Sequence, residues 1–445
     1  MPRASDPIEA RRAAIRVLTT LRDAGHVAYL AGGCVRDELL GGKPTDYDVA
    51  TDATPQRVGT LFGTTHEVGA SFGVVLVRLG GAWIEVATFR SDGTYSDRRR
   101  PDEVRFSDPA SDAQRRDFTI NALFLDPLCR LKHTNENQSN ICDEIDVEGV
   151  IRRPTPHGMV IDYVGGLGDM ARRVVRAVGD PDARLGEDHL RALRAVRFAS
   201  RLGFSLDDPT AEAIRRHARE LQGVSRERIG DEIRRMLTDP SRALAAWTLQ
   251  YLGLDRPVLE SDTRTRAPRR LGRLEDEAPW PTALAAWLLD RDEVIEATQI
   301  SGVVARVRRA LCLSNQERDE LRDVLEGFGV LRRQWASLGV AAQKRAASAG
   351  WFVEALRLVR AESAEEMVRI RRRVEELTRT RSGLAPEPLI TGEDLRSAGL
   401  TPGPAFKAIL DAVYDAQLED QIADRDEALG LAIELARDGA SPSGG

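Results

Sequence analysis

The sequence predicts an α+β protein: a small N-terminal domain built around a mixed sheet, followed by helices to the end of the chain. Three observations predict it. Strand-length apolar runs interleave with helical patterns up to about Leu125. From Tyr163 onward strand signals all but vanish and helical periodicity dominates. Aromatic residues are only 5% of the chain and charged residues 30%, which suits helices with wide solvated faces more than a dense β-sandwich.

The first element spans residues 8–24, where Ile8, Ala14, Ile15, Val17, Leu18 and Leu21 form the apolar stripe of an amphipathic helix. Residues 27–31 (VAYLA) read as a strand, followed by a two-glycine turn, a short helix, a GGKP turn and a second strand carrying Asp46 and Asp48. Thr54 and Pro55 signal a helix start, with threonine as the cap and proline in the first turn. Two strands, 73–79 and 83–89, are joined by Gly80-Gly81, a good hairpin turn. The arginine-rich run 89–101 reads as a mobile loop that either closes over substrate or is simply solvated. Residues 128–160 change character, and the polar stretch 134–140 (TNENQSN) reads as a loop or insertion. Breaks at Asp239-Pro240 and at 385–388, among others, divide the rest. The expected domains are therefore 1–164, 165–238, 239–383 and 384–445, the last ending in a disordered tail.

At 445 residues the chain is long for one core. Its net charge of −6 excludes a non-specific polycation, but leaves room for a local basic track. Cys34, Cys129, Cys142 and Cys312 stand far apart with no Cys-x-x-Cys pair, so reduced thiols are expected and zinc is not. The N-terminus has no apolar signal core, and no run approaches the roughly 20 apolar residues of a membrane span. A soluble, cytoplasmic protein is expected.

Five clusters carry chemistry. Side chains alternate along a strand, so Asp46 and Asp48 should share a face, and two like charges there call for a cation such as Mg²⁺. Gly32 and Gly33 open a helix whose bare amides suit a phosphate, and Arg36 adds a bidentate contact one turn on. In the run 115–123 (RRDFTINAL), Arg116 would hold phosphate, and Asp117 and Asn121 would meet ribose hydroxyls or order the site; a surface ion pair is the plain alternative. The glycine-rich turn 162–169 (DYVGGLGD) reads equally as a hinge or a connector. In 187–204 (EDHLRALRAVRFASRLGF), Arg191, Arg194, Arg197 and Arg201 fall on one third of a helix, and Asp188 stands one turn before Arg191. That pair can read a nucleobase edge or form an ordinary intrahelical ion pair. Glu85 (WIEVATF) has a strand position that either supplies a third metal-facing carboxylate or is merely exposed.

These runs, together with 225–237 (SRERIGDEIRRML), occur in the order and spacing of the class II tRNA nucleotidyltransferases, and the chain resembles that family: the CCA-adding enzymes, grouped with the bacterial poly(A) polymerases. The resemblance covers residues 26–238 and returns at 390–413 (ITGEDLRSAGLTPGPAFKAILDAV), whereas 240–385 is similar only in being helical. It implies a polymerase-β-like nucleotidyltransferase head, then helical neck, body and tail. It further implies two Mg²⁺ ions on Asp46 and Asp48, and triphosphate on Gly33 and Arg36. Arg116 would contact the nucleotide, Asp188 and Arg191 would pair with the base edge of CTP or ATP, and Arg194 and Arg197 would support it. The implied partner is the tRNA 3′ end, with no membrane and no obligate protein partner. The run 89–101 resembles a loop tied to the switch from C to A addition. Poly(A) polymerases usually carry a basic segment where this chain reads VGASFGVVLV (68–77). A poly(A) polymerase, a CC- or A-adding specialist and a non-catalytic RNA-binding protein on a decayed fold are the alternatives.

Overall fold

In the computed structural model the described residues are 6–69, 73–92, 104–129, 144–145, 149–262, 266–292, 296–403 and 405–438. The chain divides into two units, Met1–Glu232 with Thr248–Val258, and Ile233–Trp247 with Leu259–Gly445.

The first unit begins with α1 (Pro7–Asp23), whose first turn holds Pro7 and whose Asp6 carboxylate accepts the Ile8 amide at 3.0 Å. The helix buries Ala10, Ala13, Ala14, Val17, Leu18 and Leu21. The stripe therefore differs from the expected one: Ile8 is 60% exposed and Ile15 only half-buried, while two alanines small enough for close approach take their places.

Further strands and helices follow in chain order: β1 (Ala28–Ala31), α2 (Gly33–Leu39), β2 (Asp48–Thr51), α3 (Pro55–Leu61), β3 (Thr65–Gly69), β4 (Val74–Leu79) and β5 (Ala82–Thr88). Then come β6 (Arg90–Asp92), β7 (Val104–Phe106), α4 (Pro109–Gln114), β8 (Leu123–Asp126), β9 (Glu144–Ile145), β10 (Ile151–Thr155) and β11 (Gly158–Asp162). Nine of these strands form one sheet in the order β3-β4-β5-β2-β1-β8-β11-β10-β9. Only β2 and β5 run parallel; the other neighbours are antiparallel, so the sheet is mixed as expected. Its two faces are both covered. Leu30, Val49, Val86 and Leu125 pack with α1 and α3, and Ala31, Ala50, Phe89 and Phe124 pack in a separate cluster on other side chains.

Local signals were followed closely in places. Thr54 caps α3 by accepting the Arg57 amide at 3.3 Å. Gly80 and Gly81 join β4 to β5 with φ of +60° and +86°, the left-handed values that a two-residue hairpin turn demands. Elsewhere the structure corrects the expectation. Asp46 lies two residues ahead of β2 rather than in it. The run 89–101 is not all loop: Phe89 is fully buried, and Arg90–Asp92 pairs with Val104–Phe106 as a ribbon, while 93–103 lie outside the described residues. The stretch 128–160 contains β10, which with β11 makes a hairpin on the sheet, although 130–143 lie outside the described residues.

Helices then take over: α5 (Gly166–Arg172), α6 (Pro181–Glu187), α7 (Leu190–Leu202), α8 (Asp208–His217), a 3₁₀ turn (Ala218–Gly223) and α9 (Arg226–Leu237). In the 162–169 turn the hydrogen bonds favour the connector over the hinge. The buried Asp162 carboxylate accepts four backbone amides, Val164, Gly165, Gly166 and Leu167, at 2.9–3.1 Å. Gly166 packs on the Thr119 carbonyl so closely that a Cβ there would lie 2.2 Å from its oxygen.

The second unit is helical. Every residue of the helix Trp280–Asp290 is buried, as expected of a helix apolar all round. The last three helices, Gly392–Ser397, Ala405–Leu418 and Arg425–Asp438, share a small core of Leu395, Ile409, Val413, Ala428 and Ala432. Among the described residues no helix is long and apolar enough to cross a membrane. Cys34, Cys129 and Cys312 are free thiols, and Cys142 lies outside the described residues.

Candidate active site

A polar cavity of about 550 Å³ lies in the first unit between the sheet and α7. It is lined by Gly32, Gly33, Arg36, Asp48, Glu85, Arg116, Asp117, Asn121, Asp188, Arg191, Arg194 and Arg197. Of the residues expected to bind metal or nucleotide, Asp46 alone is absent from this lining, and the 162–169 turn does not reach it either. Asp46 is exposed on the extended approach to β2, and its charge still reaches Asp48.

The carboxylate corner is set by strand pairing. Asp48 stands directly opposite Glu85 across the parallel β2–β5 ladder, so both point to one face of the sheet. Tyr47 and Val49 point to the other, into the core beneath α1. Burial, then Glu85 and Asp46, push the Asp48 carboxyl up to about 7 against the opposing pull of Arg116. Glu85 is also raised by burial. Tyr47 fixes the approach to this corner: its hydroxyl donates to Glu38 at 2.6 Å, and Glu38 accepts from Arg11 at 2.6 Å. The neighbouring Cys34 thiol, pushed up to about 12 by burial and by Asp48, is no nucleophile.

The glycine corner depends on close approach. Gly32 precedes α2 with φ +77°, and a Cβ there would lie 3.0 Å from Arg116 Nη1. Arg36 is 3% exposed, lies over the Phe198 ring at 5.0 Å, donates to the Asn121 side chain and pairs with Asp37 at 2.6 Å. Arg115 and Arg116 both donate to the buried Asp112, at 2.6 and 2.9 Å. Burial would raise the Asp112 carboxyl, but the two arginines hold it below the usual range. Arg116 also donates to the Asn121 carbonyl at 3.1 Å.

The arginine helix forms the far wall. Ala192, Leu193, Ala195, Val196 and Ala199 of α7 are buried on one side of the helix, and the arginines share the other with buried Leu190 and Phe198. Arg194 donates twice to Asp117 at 2.9 and 2.6 Å. Burial opposes the charge on Asp117, yet Arg194 and Asn121 hold its carboxyl at about 2. Arg197 donates to Glu232 at 2.6 Å and lies 4.3 Å above the Phe198 ring.

Asp188 and Arg191 line the cavity, but they are not each other's partners. Asp188 accepts from Arg228 at 3.2 and 2.6 Å and from the Leu190 amide at 3.1 Å. Arg191 donates to Glu187 and to the Arg184 carbonyl, the latter at 2.7 Å. Each is thus oriented by a third group, which leaves the pair side by side rather than neutralised on one another.

Three of these supports were missed from the sequence. Asp112 was legible, since it stands three and four residues before Arg115 and Arg116, the spacing of one helix face. Glu187 was legible in the same way, four residues before Arg191. Arg228 is 40 positions from Asp188, and no local pattern announces it.

Comparison with known proteins places these features in a family. A model of the poly A polymerase head domain matches residues 28–176, and one of a probable RNA and SrmB-binding site of polymerase A matches 203–261. The CCA-adding enzyme of Geobacillus kaustophilus (strain HTA426) is 33% identical over 427 residues, 93% of this chain and 94% of that one. The CCA-adding enzyme of Anoxybacillus flavithermus (strain DSM 21510 / WK1) is 40% identical over 240 residues, 53% of each. Among solved structures, the Bacillus stearothermophilus CCA-adding enzyme in complex with CTP has a TM-score of 0.72 at 26% identity, covering 98% of this chain and 99% of that one. The Thermotoga maritima CCA-adding enzyme complexed with tRNA-CCA shares the fold, with a TM-score of 0.64 at 18% identity over 97% and 96%. With a third of its residues identical along nearly the full length of one such relative, the chain belongs to the CCA-adding enzymes and is a nucleotidyltransferase.

Proposed function

We propose that this nucleotidyltransferase adds C, C and A to the tRNA 3′ end from CTP and ATP, choosing each nucleotide with side chains instead of a nucleic-acid template. The observation that carries this reading is a single cavity lined by acidic Asp48 and Glu85 on one side and by Asp188 and the α7 arginines on the other. The first group is suited to phosphoryl chemistry and the second to reading a base.

The carboxylates fit Mg²⁺. Asp48 and Glu85 are opposed hard oxygen donors on one face, Asp46 is near enough to raise Asp48, and the resulting repulsion is what a divalent cation relieves. Asp46 and Asp48 would hold the ions, with Glu85 as a third carboxylate. Bound there, Mg²⁺ supplies Lewis-acid activation of the attacking ribose hydroxyl and neutralises charge on the leaving pyrophosphate.

The chain's own groups do the rest. Gly32 and Gly33 let the triphosphate approach the backbone, and Arg36 and Arg116 face it from positions already fixed by Phe198 and Asp112. Asp117 and Asn121 order the ribose end of the cavity, and Asp117 locks Arg194 in place. Asp188 offers an acceptor and Arg191 donors. Together they match the edges of cytosine and adenine and oppose those of guanine and uracil, which place donors and acceptors differently. Arg194 and Arg197 support the bound nucleotide. The residues 89–101, whose first part pairs with β7, would act in the switch from C to A. In chain order, a head of 1–164 and a neck of 165–238 would be followed by a tRNA-binding helical body of 239–383 and a helical tail of 384–445.

Sequencing the products made on tRNA that lacks its terminal CCA tests the reading. Three defined residues support it, a long adenosine run identifies a poly(A) polymerase, and no pyrophosphate release with any nucleotide identifies a non-catalytic protein. Asp48→Ala and Asp46→Ala should each abolish addition, a loss of at least about a thousandfold, with an unchanged helical circular-dichroism spectrum. Near-normal turnover in either variant would overturn the metal assignment.

A further inference from the structure

Next to the base-reading wall, but outside the cavity, three potential metal ligands converge. His189, His217 and Glu220 each offer an atom within 4.8 Å of the others. They come from two places in the fold: His189 stands at the N-cap position of α7, while His217 ends α8 and Glu220 lies in the 3₁₀ turn that directly follows it. Glu220 Oε2 is 3.1 Å from His189 Nε2 and 2.8 Å from His217 Nδ1. The two imidazoles are stacked, with ring centres 5.9 Å apart and planes inclined by 27°.

A second observation points the same way. The far nitrogen of His217, Nε2, lies 3.0 Å from Asp182 Oδ1, and Asp182 is itself gripped by Arg216 at 3.1 and 2.6 Å. A carboxylate on the outer nitrogen is the usual orienting partner of a metal-bound histidine, because it fixes the tautomer with the inner nitrogen bare. Both ring nitrogens of His217 thus face a carboxylate oxygen, the inner one Glu220 and the outer one Asp182.

We propose that His189, His217 and Glu220 form a site for a divalent transition metal, with Zn²⁺ the best match, distinct from the Mg²⁺ corner of the cavity. Two nitrogens and one oxygen suit zinc and disfavour Mg²⁺, which prefers an all-oxygen shell. His189 is buried, while the Glu220 side chain is 41% exposed, so the ion has a route from solvent and room for a water as fourth ligand. The absence of paired cysteines argues only against a thiolate site. The ion's role would be to pin the start of α7, since His189 directly follows Asp188 and precedes the helix bearing Arg191 and Arg194.

The test uses the full-length, tag-free protein in millimolar Mg²⁺. Titration with Co²⁺ should give one equivalent with the visible absorption of a low-coordinate site, displaced by Zn²⁺. Zn²⁺ should raise Tm by about 5 °C. Glu220→Gln, which keeps the side-chain shape, and His217→Ala should each weaken binding at least tenfold and remove the Tm shift. Asp182→Ala should weaken it about tenfold through loss of orientation. Asp48→Ala should leave both signals intact. Absence of a cobalt spectrum at micromolar metal, or binding that survives both Glu220→Gln and His217→Ala, overturns the proposal and leaves the cluster a set of hydrogen-bonded side chains.

Discussion

Asp117 accepts from Arg194, from the Asn121 amide at 3.1 Å and from the Phe118 backbone amide at 2.8 Å, and so joins the sheet side of the cavity to α7. Its carboxyl, ordinarily near 3.8, is held at about 2 in the folded chain. A depressed value means that the folded state favours the ionised form. The resulting stabilisation is complete above about pH 4 and is lost as pH falls toward 2. It amounts to about 2 kcal/mol. Asp117→Asn should therefore lose about that much at pH 7 and show a shallower fall in stability between pH 4 and 2, as read by denaturant titration. Arg191 makes a different prediction. If it reads the base, Arg191→Ala should cut discrimination among the four nucleotides by roughly tenfold and weaken tRNA binding far less. Unchanged selectivity in a four-nucleotide competition would remove it from that role. At this scale the sequence was most legible where partners are a helical turn apart. It was least legible for Arg228 and Phe198, whose partners Asp188 and Arg36 are distant in sequence.

Whole elements were legible when one period ran through them. The 100° spacing of α7 separates four arginines from an apolar arc, and the structure buries that arc as expected. Prolines also proved to be informative punctuation: Pro7, Pro55, Pro109, Pro181, Pro209 and Pro281 all sit in first turns, so several apparent breaks are helix starts. β10 was hidden because Arg152, Arg153 and Pro154 obscure its alternation, and its place is fixed by pairing with β11 instead of by its own composition. Asp46 was misplaced for a related reason: alternation can begin before the ladder does, and only pairing defines where a strand starts. The glycines of the 162–169 turn left hinge and connector equally open, and Asp162 ties down four amides there. Asp162→Ala should cost about 3 kcal/mol in denaturant unfolding while leaving nucleotide selectivity intact. A loss below about 1 kcal/mol would return the segment to the status of a hinge.

Across the molecule, 70 acidic residues outnumber 64 basic ones, so attraction to RNA must be local. Lysine contributes only Lys43, Lys132, Lys344 and Lys407; the rest of the positive charge is arginine, whose planar fork can hold a phosphate while bonded elsewhere. If such arginines neutralise even two phosphates, tRNA binding should weaken by about tenfold between 50 and 200 mM salt. A flat salt response in a filter-binding assay would exclude them as the main contacts. The fold class was readable from patterns alone, while the joining of two distant sequence clusters in one cavity was not, because that depends on how the chain returns. The Asp48–Glu85 opposition shows how such a return can be fragile. The two side chains meet only because β2 and β5 march in step, so one residue inserted between Ala82 and Glu85 would swap the glutamate with an oily neighbour and aim it beneath α1. The same insertion at Gly80-Gly81 would merely lengthen a surface loop. Evolution of this enzyme can therefore edit the tip of that hairpin freely, but must treat its returning arm as a ruler.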